Sequence, residues 1–450
     1  MDLLNLSVIS PIQSTSLLSS VVDSKSVQES IAPVTTIDRI SKALLRNVIR
    51  FREPSKGRLK TPSQQWLKAA TKTKQQPHRP KSRKPKTPSH TVEYLPKSKC
   101  EQLRHTARQL MTPGLGILAA DDSVVQLGQK LRSINMVNIE TNRLRYHEML
   151  LGVDAGEDDL MNFYFSGVLM REESLGKSAQ AEKKLSRLII ERDILLGIRF
   201  DTGVEKLVGC DREYVSTGLD SVMDAIKRTT GKGLKFGLFR CVFRVSELTP
   251  STQALFENSL ILAKFAVICQ QSGIVPIVAP EVLTEGSHGH EEARSVLREI
   301  LTTLVKLMVD HHVFLEGTLI RVAACKPGLC FKGQKDLKRV ADDTTRTLNE
   351  CLPPAVGGVL LSRDEDLCTS LTILNNIQNC HMKKPFFVSF CFSRVIQEDV
   401  VAMWAGQNKN RKKARTELMR RAELCSLATF GQAGNIGASI FITCEESFMH

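Results

Sequence analysis

The sequence predicts an α/β protein built on buried parallel strands, either a (β/α)8 barrel or a doubly wound open sheet. Two observations predict it. Eight short apolar runs rich in branched side chains recur at residues 116–121, 166–170, 196–201, 236–241, 275–280, 313–320, 355–362 and 386–393. Amphipathic helical stretches, such as 252–271 and 291–310, separate most of them. Strands buried on both faces read as continuous apolar runs, and parallel neighbours need helical crossovers. Eight such units over about 300 residues fit one barrel. An open sheet would carry the same runs, so periodicity alone leaves both standing.

Composition narrows the class further. The 450 residues would fill roughly three average domains, unless a barrel absorbs most of them as one. Hydrophobic residues make up 42% and charged residues 24%, ordinary values for a soluble globular chain. The longest apolar runs, such as 274–279 and 386–392, fall far short of the roughly 18 to 20 residues of a membrane span. Collagen, coiled-coil arrays and integral membrane proteins are therefore excluded. Twelve cysteines without a CxxC pair, behind an opening that lacks a secretory signal, predict reduced intracellular thiols.

The net charge of +14 is local. Residues 51–100 carry 14 Lys and Arg against two acids, Glu53 and Glu93, whereas residues 101–450 carry 43 against 42. The basic character belongs to an extension, and the body gives no electrostatic sign of a nucleic-acid-binding fold. The extension is expected to span 1–99, ahead of a barrel domain over 100–450. Residues 1–35 are too polar to bury a core. Residues 37–52 place Ile37, Ile40, Leu44, Val48 and Phe51 at helical spacing beside five basic residues. That pattern is a basic amphipathic helix, suited to an anionic membrane or partner, to targeting, or to packing on the body. Residues 53–99 read as a solvated linker, within which 79–86 is a basic run that nuclear import or a polyanion could use.

Barrel chemistry sits where strands end, on the C-terminal face. The residues closing the runs are Asp121, Arg199 with Asp201, Leu238 with Arg240, Ala279 with Glu281, Arg321, Ser362 and Arg394. Arg199, Arg240, Arg321 and Arg394 would converge on one mouth. A ring of guanidinium groups suits a phosphorylated ligand. Pairing of each arginine with a local acid is the competing reading.

Six stretches carry a resemblance: GILAADDS at 116–123, ENSLILAKFA at 257–266, CQQSGIVPIVAPEVL at 269–283, DHHVFLEGTLIR at 310–321, PPAVGGVLLS at 353–362 and GQAGNIGAS at 431–439. Together they resemble class I fructose-1,6-bisphosphate aldolase, from about residue 103 to the C-terminus. The resemblance implies the barrel rather than the open sheet. It also implies a homotetramer and cleavage of fructose 1,6-bisphosphate through a Schiff base on a lysine that closes the sixth strand.

Carried over residue by residue, the resemblance departs from that mechanism. The family text LEGTLLKP reads LEGTLIRV here, which puts Arg321 at the Schiff-base lysine. A guanidinium stays protonated, with a pKa above about 12, and offers no lone pair to a carbonyl. Lys326 follows five residues later, beyond the strand. Leu238 stands at a second lysine, and Ala279 stands at an acid/base glutamate, leaving Glu281. Asp121 is retained. The family's C-terminal tyrosine is missing, since the sequence ends Phe448-Met449-His450. Phosphate contacts fare better. Ser362 and Arg394 match one phosphate site, although the Gly-Gly that follows the serine is Arg363-Asp364. At the other, Ser123 and Arg240 are kept, while Gln126, Lys130 and Arg199 replace a serine, an arginine and a lysine.

The expectation is an aldolase-family protein that is catalytically inactive and acts as a sugar-phosphate-binding or scaffold pseudoenzyme. The alternatives are an active glycolytic aldolase and a protein that binds a polyanion or the cytoskeleton through its basic tail. No cofactor and no metal are expected, because His288, His290, His311 and His312 lack matching carboxylates and no glycine-rich phosphate loop occurs. A cytoplasmic location is expected, with nuclear or organellar targeting by the extension as the alternative.

Overall fold

The apolar runs become strands that leave no sheet edge. The computed structural model describes residues 95–152, 160–175, 185–210, 212–362 and 366–433. The segments 37–52 and 79–86, the pair Arg363-Asp364, residues 434–439 of the last matched motif and the C-terminal residues 448–450 lie outside them. Among the described residues, ten strands follow in chain order: β1 (Gly116–Ala120), β2 (Phe165–Met170), β3 (Leu195–Arg199), β4 (Gly203–Lys206), β5 (Tyr214–Thr217), β6 (Leu234–Phe243), β7 (Val275–Val282), β8 (Leu319–Val322), β9 (Gly358–Leu361) and β10 (Val388–Phe392). Eight of them close a parallel barrel in the order β1-β10-β9-β8-β7-β6-β3-β2. Closure decides between the two architectures: this is a (β/α)8 barrel, and the open sheet is excluded.

Two features differ from the pattern of runs. The run at 313–320 yields its strand only at Leu319–Val322. Its first residues turn instead, because His312 adopts φ 55° and Leu315–Gly317 forms a 3-10 turn. Glu316 then meets Arg104, whose guanidinium lies 5.2 Å from the centre of the Phe314 ring. The antiparallel hairpin β4–β5, inserted after β3, has no apolar run behind it, since GVEK and YVST are only partly buried.

Alternation along each strand sorts side chains into two cores. Ile117, Ala119, Leu169, Phe236, Leu238, Val275, Ile277, Ala279, Leu319, Leu360 and Cys391 face the barrel axis. Helix α1 (Lys97–Leu110) adds Leu103, Ala107 and Leu110 to that inner core. Phe236 fills the space left by glycine, for a Cβ on Gly197 would stand 2.1 Å from its ring. The opposite parity, including Leu118, Val168, Ile198 and Ile320, packs against the outer helices. Each such Leu, Ile or Phe contributes about 1.5–3 kcal/mol by leaving water.

The outer helix Thr252–Gln271 qualifies the expectation drawn from run lengths. By length and composition alone it could cross a membrane. It instead packs on β6 and β7, where it buries Asn258 and Gln270 along with Leu262 and Phe265. Among the described residues, ten cysteines are free thiols, as expected. Cys368 corrects that expectation, being disulfide-bonded.

Candidate functional site at the barrel mouth

One step beyond the inner apolar layer, the same strand parity brings polar residues to the mouth. Asp121 follows Ala119 on the axis side, Arg171 follows Leu169, Arg240 follows Leu238, Glu281 follows Ala279, Arg321 follows Leu319, and Ser362 follows Leu360. Arg199 closes β3 beside them.

The β1–β3 side is held by internal bonds. The Arg199 guanidinium donates to Asp201 at 2.6–3.0 Å and to Asp121 at 3.2 Å. Asp201 also accepts the Arg240 backbone N–H at 3.0 Å. Arg171 braces the group through the Asp201 carbonyl at 2.7 Å and the Asp121 carbonyl at 3.1 Å. Burial opposes the charge on Arg199, but Asp201 and Asp121 outweigh it and hold its pKa above the ordinary value. Burial likewise opposes the Asp201 carboxylate, and Arg199 outweighs it, so that pKa is depressed. Such a pair gains from geometry and from bonds that satisfy both ions.

The residues expected at the second phosphate are engaged in the same way. Ser123 caps helix α2 (Val124–Ser133): its Oγ accepts the Gln126 N–H at 3.2 Å, and Gln126 Oε1 accepts the Ser123 N–H at 3.0 Å. This reciprocal capping box satisfies two otherwise orphaned donors. Lys130, on the same helix, donates to Asp122 at 2.6 Å and to Gln397 Oε1 at 2.8 Å. Tyr146 of α3 (Glu140–Leu151) donates to that same oxygen at 2.6 Å. Burial opposes the Lys130 charge, yet Tyr146 and Asp122 outweigh it and keep its pKa above the ordinary value.

The β7–β9 side is different. Arg321 is 8% exposed and its Nε has no hydrogen-bond partner. Ser362 is 3% exposed and its Oγ has none either. The two strands are joined there, since the Ser362 N–H donates to the Val322 carbonyl at 2.8 Å. Ala279 pairs in register with Arg240 on one side, and on the other it directly follows the last β7–β8 pair, Val278 with Ile320. The Arg240 guanidinium reaches Glu281 at 3.5 Å, while its Nε is buried without a partner. Leu238 is fully buried in the apolar layer below. Cys391 lies in that layer, and burial pushes its thiol up to about 11 against the opposing charge of Arg321. Arg394 opens the helix Arg394–Trp404, is 61% exposed at its side chain, and pairs with Glu398 at 2.9 and 3.1 Å.

The mouth therefore unites Asp121, Arg199, Arg240, Glu281, Arg321 and Ser362, and sets Ser123 and Lys130 to one side in closed contacts. Arg171 was absent from the strand-end candidates, although it directly follows the second run. Asp201 was among them without a role. Its part depends on Arg199 and the Arg240 amide, which only the fold brings to it. The cations at these strand ends (Arg171, Arg199, Arg240 and Arg321) are all guanidinium groups, which hold oxyanions and do not attack carbonyls.

Comparison with known proteins places this geometry. The family model for fructose-bisphosphate aldolase class-I matches residues 102–444. The chain belongs to the class-I fructose-bisphosphate aldolase family. A fructose-bisphosphate aldolase of Schistosoma mansoni is 36% identical over 349 residues, covering 77% of this chain and 95% of the relative. Fructose-bisphosphate aldolase C of Rattus norvegicus is 35% identical over 354 residues, covering 78% and 96%. A solved aldolase from Plasmodium falciparum, in complex with TRAP and a small-molecule inhibitor, superposes with a TM-score of 0.72 at 31% identity. It covers 76% of this chain and 97% of its own. Membership in the aldolase family thus rests on most of the barrel.

Proposed function

We propose that this aldolase-family chain binds a phosphorylated ligand without cleaving it. Arg321 carries the reading. It occupies the position where the family resemblance places the Schiff-base lysine, and a permanently protonated guanidinium cannot form the imine. Leu238 and Ala279 support it, since apolar side chains stand where the resemblance places a second lysine and an acid/base glutamate. Loss of the covalent nucleophile removes the route, and loss of its acid/base partners costs further orders of magnitude. Retained cationic groups at the mouth favour a binding role over a bare scaffold.

Cleavage of fructose 1,6-bisphosphate by the purified full-length chain tests this reading. No turnover above background is expected. Arg321→Lys alone is expected to stay inactive, because Leu238 and Ala279 remain. Turnover by the unaltered chain would overturn the proposal and favour the activity named in the relatives.

A further inference from the structure

We propose that Cys368 and Cys444 form a reversible disulfide, set by exchange with a low-molecular-weight disulfide such as oxidised glutathione, that tethers the end of the chain beside the barrel mouth. This is independent of the non-cleaving reading above. Elimination gives the pair. The sequence has twelve cysteines, and ten of them are free thiols. Cys368 is disulfide-bonded, and the one cysteine left is Cys444, which lies beyond the described residues.

The place of Cys368 in the fold suits exchange. It is the second residue of the helix Leu367–Asn379, which follows the strand end at Ser362. It is only partly buried, so a disulfide carried by solvent can reach it. Backbone N–H groups at a helix start favour a thiolate, the species that exchanges. The Asp366 carboxylate opposes this, but both its oxygens are turned to Thr369, accepting the backbone N–H and the hydroxyl at 2.7 Å each. Cys241, Cys269, Cys391 and Cys425 contrast with it: they are fully buried, and burial keeps their thiols protonated. An accessible disulfide is the labile, regulatory kind.

The exchange balances. The Cys368 thiolate attacks one sulfur of oxidised glutathione, which forms a mixed disulfide and releases one glutathione thiolate. The Cys444 thiolate then attacks the Cys368 sulfur and releases the second. Two protein thiols are oxidised, one glutathione disulfide is reduced to two thiols, and the two protein protons end on those thiols.

Peptide mapping of the full chain after equilibration in glutathione buffers reads this directly. Trypsin with chymotrypsin cuts after Phe430 and Phe441, which separates Cys425 from Cys444. With oxidised glutathione in excess, a linked Cys368–Cys444 peptide pair is expected. With reduced glutathione in excess, its yield is expected to fall about tenfold or more. Cys444→Ser is expected to abolish the pair and leave Cys368 carrying glutathione, and an unchanged circular dichroism spectrum would confirm that this variant folds. Cys368 linked to Cys380 or to any other cysteine, or left as a thiol in the oxidised full chain, would overturn the assignment. A Cys368–Cys444 pair undiminished by excess reduced glutathione would overturn its reversibility.

Discussion

The two sides of the barrel mouth solve the same problem in opposite ways. Around β1–β3, every charge that the strands bring inward meets a partner: Arg199 meets Asp121 and Asp201, and Lys130 meets Asp122 and Gln397. Around β7–β9, Arg321 and Ser362 are as deeply buried and keep polar atoms unsatisfied. Burial alone therefore does not identify a binding group. The informative quantity is the donor capacity left over after the protein has bonded to itself. The closed side satisfies its own charges, and the open side keeps donor capacity that the proposed ligand would use.

That contrast makes removal of a charge act with opposite sign on the two sides. Asp201→Asn strips Arg199 of its bidentate partner in a buried setting and is expected to cost about 3–5 kcal/mol in urea denaturation. Next in size is a pH effect behind the closed side. His147 of α3 is buried, and burial depresses its pKa from 6.5 to about 4. Between those values the unfolded chain binds a proton that the folded chain does not. Stability is thus full above about pH 6.5 and falls as pH drops toward 4, by on the order of 3 kcal/mol. His147→Gln should flatten the stability profile across that window. On the open side, Arg321→Met is expected to stabilise the chain by about 1–2 kcal/mol, because it removes an unsatisfied buried cation. A destabilising result would mean that Arg321 has a structural partner and would dissolve the contrast. Ser123→Ala is the smallest test: losing the cap of α2 should cost about 1 kcal/mol while phosphate binding stays the same. A loss of binding would show that Ser123 still serves a ligand.

The barrel and the positions of its strand ends were legible in the sequence, because local apolar patterning decides them. Six of the eight expected runs begin within two residues of their strands, and the order of strand-end residues followed directly. What the sequence hid was the state of those residues. Lys130 and Gln397 meet across 267 positions, and Arg199 and Asp121 across 78. No local pattern announces that a basic residue aligned with a phosphate ligand is already tied to its own chain. Arg394 pairs with Glu398 one helical turn on, a neighbour contact that is visible in the spacing. Arg321 was the reverse case, since residue chemistry alone said that it could not form an imine, without any coordinates.

The central claim is that no amine at this mouth forms a covalent adduct with a ketose phosphate. Borohydride reduction of the full-length chain with dihydroxyacetone phosphate, followed by intact-mass measurement, tests it most directly. The account predicts an unchanged mass. A stable gain equal to the reduced adduct, mapped to a lysine such as Lys326, would contradict it.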